Sequence, residues 1–504
     1  MSAIAATYDT DTLKQTAEYA RRPYVAASKL EWWTAFFYLL SMSMIGLKFP
    51  LGYLFVLILL INSWRKSRID FIIQFTLLCG YYAFIGEHNF PFKLQDFALG
   101  LGILGIFIYR KPPLVRKAVI AWCVYTVSLF VLASYSEETM SIQFRTLRTW
   151  LGFIYFMVPL MVFAGKDFDI KEFMRKLVPY IMVICAFYIL DAFVVNGQIF
   201  VPNSHQSGDA YEGYESSFWA PAIYGFGYFP RKYPPGLFWL ALAVMPMSRY
   251  YKLRWWHWLL IVGALMAART FTIIIGFFIS YMVFQPNMGR KMKYMLALLV
   301  MLSLGYAVDS TLPMNSEYDE STLRIKSSVD QLFVLNQAQD DEDIAQTGSG
   351  RLAQAIPKFE LMYHYGKEWT GLGFLHPELT KNPKYILVND YYKDLEKNQE
   401  VASIIEVVPL QVFLYVGYIG LIIHFAFYIY LYWIVRKLRY SLYFLSALVC
   451  TFIFGLGGFA GWIYPMGLFL NAIAFSAVLL ANKEDVWRIV NKNSKKYHEQ
   501  KAID

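Results

Sequence analysis

Six cationic residues stand apart from the chain's other basic positions, and all are of types that bind phosphate. Arg145 and Arg148 lie three residues apart in QFRTLRTW and so share a helix face. Arg231 and Lys232 lie in FPRKYPPG, Arg269 lies in MAARTFT between two apolar stretches, and Arg351 lies in TGSGRLAQAIPKFELMYHYG. A guanidinium presents a planar fork of donors that holds two phosphate oxygens at once. Several such groups around one cavity suit a diphosphate, and they stabilise it most as charge gathers on it in a transition state. A second reading is open for Arg145, Arg148, Lys232 and Arg269: a cation near a helix end can instead reach for lipid phosphate.

Arg351 has a further argument. From Leu352 onward, Leu352, Ala355, Ile356, Phe359, Met362 and Tyr363 follow an amphipathic helical period. Thr347 or Ser349 can cap the start of such a helix, and Gly366 can end it. Arg351 then falls in the first turn, where the helix dipole disfavours a cation but converging N–H groups favour an anion. Pairing of Arg351 with the nearby acidic run Asp340-Asp341-Glu342-Asp343 is the alternative.

The elements that must position these groups are apolar helices. Of 504 residues, 57% are hydrophobic and only 16% are charged, against roughly a quarter charged in ordinary soluble proteins. Apolar stretches of about membrane-crossing length recur from Trp32 to Leu480. The pattern predicts an all-α, polytopic transmembrane bundle of about 14 spans (range 12–14). They fall near 31–47, 50–63, 69–87, 96–109, 118–134, 147–164, 177–195, 236–248, 255–268, 271–285, 294–309, 404–428, 441–457 and 463–481.

The net charge of +9 is distributed as topology signals rather than as a nucleic-acid surface. Basic clusters at 65–68, 110–117, 249–254, 290–293 and 436–439 separate apolar segments. With the N-terminus (1–30) placed inside, all of them fall on the cytoplasmic side, together with Lys166 to Lys176 and the tail 482–504. Three of the external segments are then longer or odder than connection requires: 135–146, 196–235 and the large loop 310–403. From Asp309 to Ala402 there are 16 acidic and 9 basic residues, a net of −7, so the remainder of the chain stands near +16. The six cations named first fall on the external side, five on or beside these segments and Arg269 at the apex between the spans at 255–268 and 271–285, against the usual sorting.

Cys79, Cys123, Cys185 and Cys450 all lie inside apolar segments and read as packing residues, not as a disulfide framework. The first 30 residues hold no apolar core of a cleavable signal. No metal-ligand spacing is evident: the loop histidines His88, His205, His364 and His376 are scattered, and the external acids form no DxD motif. No cofactor is expected.

The order of motifs resembles the O-antigen ligase and O-antigen polymerase superfamily over roughly residues 225–430. SGRLAQAIPKFELMYHYGKEWTGLGF resembles the family's large loop, in which an arginine start leads into an amphipathic helix and then a G-x-G, here Gly371-Leu372-Gly373. EVVPLQVFLYVGYIGLIIHF resembles its post-loop helix, with Gly417-Tyr418-Ile419-Gly420 at the glycine pattern. MAARTFTIIIGFFISYMVF resembles its arginine hairpin at Arg269, and PRKYPPGLFWLALAVMPM resembles the entry to the preceding helix. One departure stands out. Family ligases open the post-loop helix with His-Asn, 11 residues before the first glycine, and this chain has Glu406-Val407 there.

The resemblance implies a metal-independent, inverting glycosyltransferase of the bacterial inner membrane. It would take undecaprenyl-diphosphate-linked oligosaccharide units at the periplasmic face and polymerise them or ligate them to another acceptor, with a chain-length regulator as a further partner. Arg269 and Arg351 would stabilise the departing diphosphate, Arg145, Arg148, Arg231 and Lys232 would hold it, and Glu406 would orient or deprotonate the acceptor hydroxyl. A structural role for Glu406, paired with Arg269 or Arg351, is equally open. Glu406 in place of histidine favours polymerase over ligase. Trp219, Tyr224, Tyr228 and Tyr233 could stack on sugars or pack at the membrane interface. A flippase for the same lipid-linked sugars fits the span count, but it predicts short loops and two related halves. A membrane scaffold or sensor would leave the external arginines freely replaceable.

Overall fold

The computed structural model describes residues 32–46, 51–85, 94–193, 253–267, 277–279, 282, 288–311, 326, 350–375, 386–387, 400–401, 407–456 and 464–483. In chain order its helices are α1 (Trp32–Gly46), α2 (Leu51–Lys66), α3 (Arg68–Ile85), α4 (Leu94–Ile108), α5 (Pro113–Ser134), α6 (Met140–Trp150) and α7 (Met157–Val162). There follow α8 (Ile170–Phe193), α9 (Trp255–Ala267), α10 (Met288–Thr311), α11 (Gly350–His364), α12 (Val408–Val435), α13 (Ser441–Leu456) and α14 (Tyr464–Ala481). Among the described residues the one strand pairing is a two-residue antiparallel contact of Ile386–Leu387 with Glu400–Val401. The helical class expected from the apolar blocks is the class observed.

Two compact units divide the chain, and each draws on two separate stretches of sequence. One takes Met1–Pro91 and Asp169–Asp330; the other takes Phe92–Phe168 and Gln331–Asp504. In the first unit α1 packs on α2, α2 on α3, and α8 on α9. Its helix starts are capped from the sequence. Ser67 Oγ accepts from Asp70 N at 3.0 Å to open α3, and Asp169 Oδ1 accepts from Lys171 N at 2.8 Å to open α8. Lys176 then bridges Asp70 at 3.0 Å and Glu172 at 3.5 Å, and Lys66 reaches Thr34 at 3.1 Å. The first turns of α1 and α3, the start of α8 and the end of α2 thus meet at one basic edge.

The second unit sorts its ends in the same way. Lys483 Nζ donates to Lys166 O at 3.0 Å, and Asn482 exchanges hydrogen bonds with the backbone of Arg439 at 2.8 and 3.1 Å. Its core is aromatic. Phe153 and Phe156 pack on Phe475 of α14 at centroid distances of 5.5 and 5.3 Å, and Phe153 also meets Phe427 of α12 at 5.6 Å.

The stretch expected as a single span at 147–164 is broken. Helix α6 stops at Trp150, a 3-10 turn covers Gly152–Phe156, and only then does α7 begin. Two features account for the break. Leu151 O is drawn aside to accept from Trp122 Nε1 at 3.3 Å, and Pro159 has no N–H to offer Tyr155 O.

Three described helices are long and apolar enough to cross a membrane: Pro113–Ser134, Lys291–Thr311 and Val408–Val435. The first is apolar on both faces. It buries Val115, Trp122, Tyr125 and Leu129, while Ile120, Val124, Val127 and Val131 stand exposed at helical spacing. Helix α10 turns Met292, Leu296, Leu299 and Leu304 outward in the same way. Water does not tolerate apolar faces of that extent, and lipid does.

Candidate functional site: a strapped break in α12

Helix α12 is interrupted. Gly417 has φ 63° and ψ −166° in the middle of an otherwise helical run. The break separates the N–H groups of Tyr418 and Ile419 from the carbonyls four residues earlier, on Leu414 and Tyr415. Left without a partner away from water, each such peptide group costs about 1–3 kcal/mol. All four groups find partners on one segment, which straps across the break. Tyr418 N donates to Glu368 O at 3.0 Å and Ile419 N to Trp369 O at 3.3 Å. Leu414 O accepts from Leu372 N at 2.8 Å and Tyr415 O from Gly373 N at 3.0 Å.

The glycines make this contact possible. A Cβ on Gly417 would lie 2.4 Å from the carbonyl carbon of Trp369, and one on Gly371 would lie 2.3 Å from the carbonyl of Tyr415. Both also have positive φ, which disfavours any side chain.

The strap hangs from α11, which ends where the sequence places its stop. Gly366 N donates to Tyr363 O at 3.0 Å and Lys367 N to Met362 O at 2.9 Å, a reciprocal C-terminal cap around Gly366. On its other side the strap is pinned to the turn that joins α5 and α6. Lys367 Nζ donates to Tyr135 O at 2.8 Å, Ser136 Oγ to Leu372 O at 2.5 Å, and Thr146 Oγ1 to Leu375 O at 3.1 Å. Gln143 is buried at the centre. Its amide donates to Ala133 O and Glu138 O at 3.1 and 2.9 Å, and its oxygen accepts from Phe374 N at 3.2 Å. Deeper in the unit, Tyr125 of α5 and His424 of α12 share a 2.8 Å hydrogen bond between helices.

Three of the predicted site residues, Arg145, Arg148 and Arg351, fall among the described residues. Arg351 stands on the first turn of α11, four residues before Ala355 on the stripe that buries Ala355, Lys358 and Met362. Arg145 is exposed on α6. Arg148, also on α6, is half-buried and donates through Nη1 to Asp96 Oδ2 at 2.9 Å. The two therefore differ: one cation is open to solvent and the other is already held by a carboxylate. Arg231, Lys232, Arg269 and Glu406 lie outside the described residues, as do Thr347, Ser349 and the aromatics Trp219, Tyr224, Tyr228 and Tyr233. Among the described residues no group of three His, Cys, Asp or Glu side chains could hold a metal ion. Cys185 and Cys450 are buried in the packing, and Cys123 is half-buried.

Sequence reasoning passed over four charged residues of this region. Asp96 opens α4 and holds Arg148; a lone carboxylate at the head of LQDFALGLG was the available signal. Glu138 is 8% exposed and lies at the pinned turn. Its Oε1 accepts from Thr139 N at 2.8 Å, while Oε2 is buried with no partner. Lys358 is 2% exposed on α11. Glu368 lies in the strap itself, with its Oε2 buried and without a partner. Comparison of the sequence with known protein families finds no family that matches, and comparison with curated proteins finds no similar protein.

Proposed function

We propose that the protein is a membrane-embedded inverting glycosyltransferase of the O-antigen polymerase kind. It would join undecaprenyl-diphosphate-linked repeat units at the periplasmic face of a bacterial inner membrane. The acceptor's hydroxyl oxygen attacks the anomeric carbon of the donor sugar, the bond from that carbon to the diphosphate breaks, and the electron pair leaves on the diphosphate. Arg351 and Arg269 receive that charge, Arg145, Arg231 and Lys232 help to hold the group, and Glu406 takes the acceptor's proton. Arg148 acts by fixing α6 to α4 through Asp96 rather than as a free cation. The spans number about 14, both termini lie inside, and 310–403 is an external loop.

One observation supports this reading above the rest: the arginine-headed amphipathic helix α11 runs directly into a strap that docks in the break of α12, and that break falls 11 residues after Glu406 in the sequence. Two of the features that resemble the polymerase family, the arginine-headed helix with its G-x-G and the glycines of the post-loop helix, are hydrogen-bonded to one another there.

The flippase reading draws on the same break, since interrupted helices line transport sites. In such sites the freed backbone groups face the cargo. Here all four are taken by the strap, which favours a fixed reaction site over a translocation path. Arg269→Ala and Arg351→Ala should each abolish polymer and accumulate single lipid-linked units outside, with normal amounts of protein in the membrane. Normal polymer from both variants would sink the proposal. Accumulation of the donor inside would indicate the flippase.

A further inference from the structure

We infer that the exposed side of the strap is a saccharide-binding subsite, built from Trp369, Tyr363, Tyr418 and the carboxylate of Glu368. It rests on the transferase reading and adds to it the place where the sugar chain is gripped.

Three large aromatic side chains stand open together there, with exposures of 58% for Trp369, 52% for Tyr363 and 39% for Tyr418. The Trp369 and Tyr418 rings lie 5.6 Å apart at 60°, and the hydroxyls of Tyr363 and Tyr418 are 3.0 Å apart. Behind them Phe413 packs on Tyr418 at 4.6 Å and on Phe359 at 5.1 Å, so the outer rings rest on an aromatic base. Glu368 joins the group from the strap. Its carbonyl holds Tyr418 N, and its Oε2 lies out of solvent with no hydrogen-bond partner. The Tyr418 hydrogen bond first, then desolvation and the nearby Tyr418 and Glu368 charges, raise the pKa of the Tyr363 phenol above its ordinary value. Tyr363 therefore stays a hydroxyl donor throughout the neutral range.

The chemistry that such a set recognises is specific. An open indole face accepts the C–H face of a pyranose, paired phenols donate to and accept from ring hydroxyls, and a carboxylate accepts hydrogen bonds from them. A belt of aromatics at a membrane interface would also expose Trp and Tyr. Such a belt does not call for a carboxylate residue among its rings, and Glu368 stands next to Trp369 in the strap. The backbone bearing the subsite is fixed by the four strap hydrogen bonds, so little ordering is lost on binding. Arg351 heads the same helix that ends beside Tyr363. Twelve residues separate them, about 18 Å along the axis, which leaves room for several sugars between a diphosphate at one end and the aromatics at the other.

The test uses the full chain in nanodiscs and, as probe, the repeat unit freed from the host's own lipid-linked intermediates by mild acid. Binding is read by saturation-transfer NMR, and transfer by initial rates with the intact lipid-linked unit. Trp369→Ala and Glu368→Gln should each weaken binding of the free saccharide by about tenfold. Both should raise KM for the lipid-linked unit, with kcat within about twofold of the parent. Trp369→Phe, which keeps a ring, should recover most of the binding and guards against a folding defect. Unchanged binding and unchanged KM in both variants, with the parent forming polymer, overturn the subsite and leave the transferase standing. Loss of Trp369 that alters only quenching by brominated lipids also overturns it, in favour of an interface belt. Saccharide binding by a parent that forms no polymer would defeat the transferase and leave the subsite standing.

Discussion

Gly417 and Gly371 are fixed by contact as much as by torsion, because strap and helix meet backbone to backbone at these residues. In Gly417→Ala the new methyl would have to occupy the place of the Trp369 carbonyl, 2.4 Å away. The backbone at φ 63° and ψ −166° is essentially reserved for glycine and costs about 1–3 kcal/mol for a residue with a side chain. The melting temperature of the protein in nanodiscs should fall, and a protease site should open in 367–375. Gly100→Ala is the control, since nothing lies within 4 Å of a Cβ there, and alanine favours the helix by up to about 1 kcal/mol. Its melting temperature should hold or rise. Equal effects from the two substitutions would show that the strap is not seated against the break. Arg148 illustrates a different limit at the same scale. Its cationic type and its spacing from Arg145 are legible in the sequence, but Asp96, its partner, lies 52 residues away, and no local pattern joins them.

At the scale of elements, α11 and its stop were legible. The amphipathic period gives Ala355 and Met362 on the buried stripe, but Lys358 is buried there too and Tyr363, read in the same period, stands exposed; Gly366 closes the helix as its type predicts. The break in α12 was not legible, because VFLYVGYIGLIIHF reads as uninterrupted apolar helix and the groups that permit its interruption come from the strap some forty residues earlier. The 3-10 turn at Gly152–Phe156 was hidden for a related reason: its cause is in part an indole on α5. Gln143 ties the strap to the turn that follows α5, and its removal tests the element as a whole. Gln143→Ala removes the partner of Phe374 N and of Glu138 O, each at a cost of about 1–3 kcal/mol. Hydrogen exchange of the 367–375 amides should speed up markedly while that of α14 stays slow. Unchanged exchange across 367–375 would contradict the view that this pin holds the strap.

At the scale of the whole molecule, charge sorting was legible and the division of the chain was not. Some of the Lys and Arg clusters mark helix ends that meet within a unit, through Lys66, Asp70 and Lys176 in the first and Lys166, Arg439 and Lys483 in the second. Reading along the chain cannot show that residues up to Pro91 belong with Asp169–Asp330, since that pairing is made by contacts between distant helices. With both termini inside, single cysteines placed in 196–235 and 310–403 should react with an impermeant maleimide on intact cells. Cysteines placed in 1–30 or 484–504 should react only after permeabilisation. The opposite pattern would invert the protein and move every site residue to the wrong side.

The most direct measurement is transfer by the purified protein in nanodiscs, supplied only with undecaprenyl-diphosphate-linked repeat units. An inverting polymerase yields lengthening glycan with one undecaprenyl diphosphate released per bond formed and inversion at the new anomeric centre, and Arg351→Ala yields neither product. Intact donor with no undecaprenyl diphosphate released, from protein that in liposomes carries the same donor across the bilayer, would contradict the transferase.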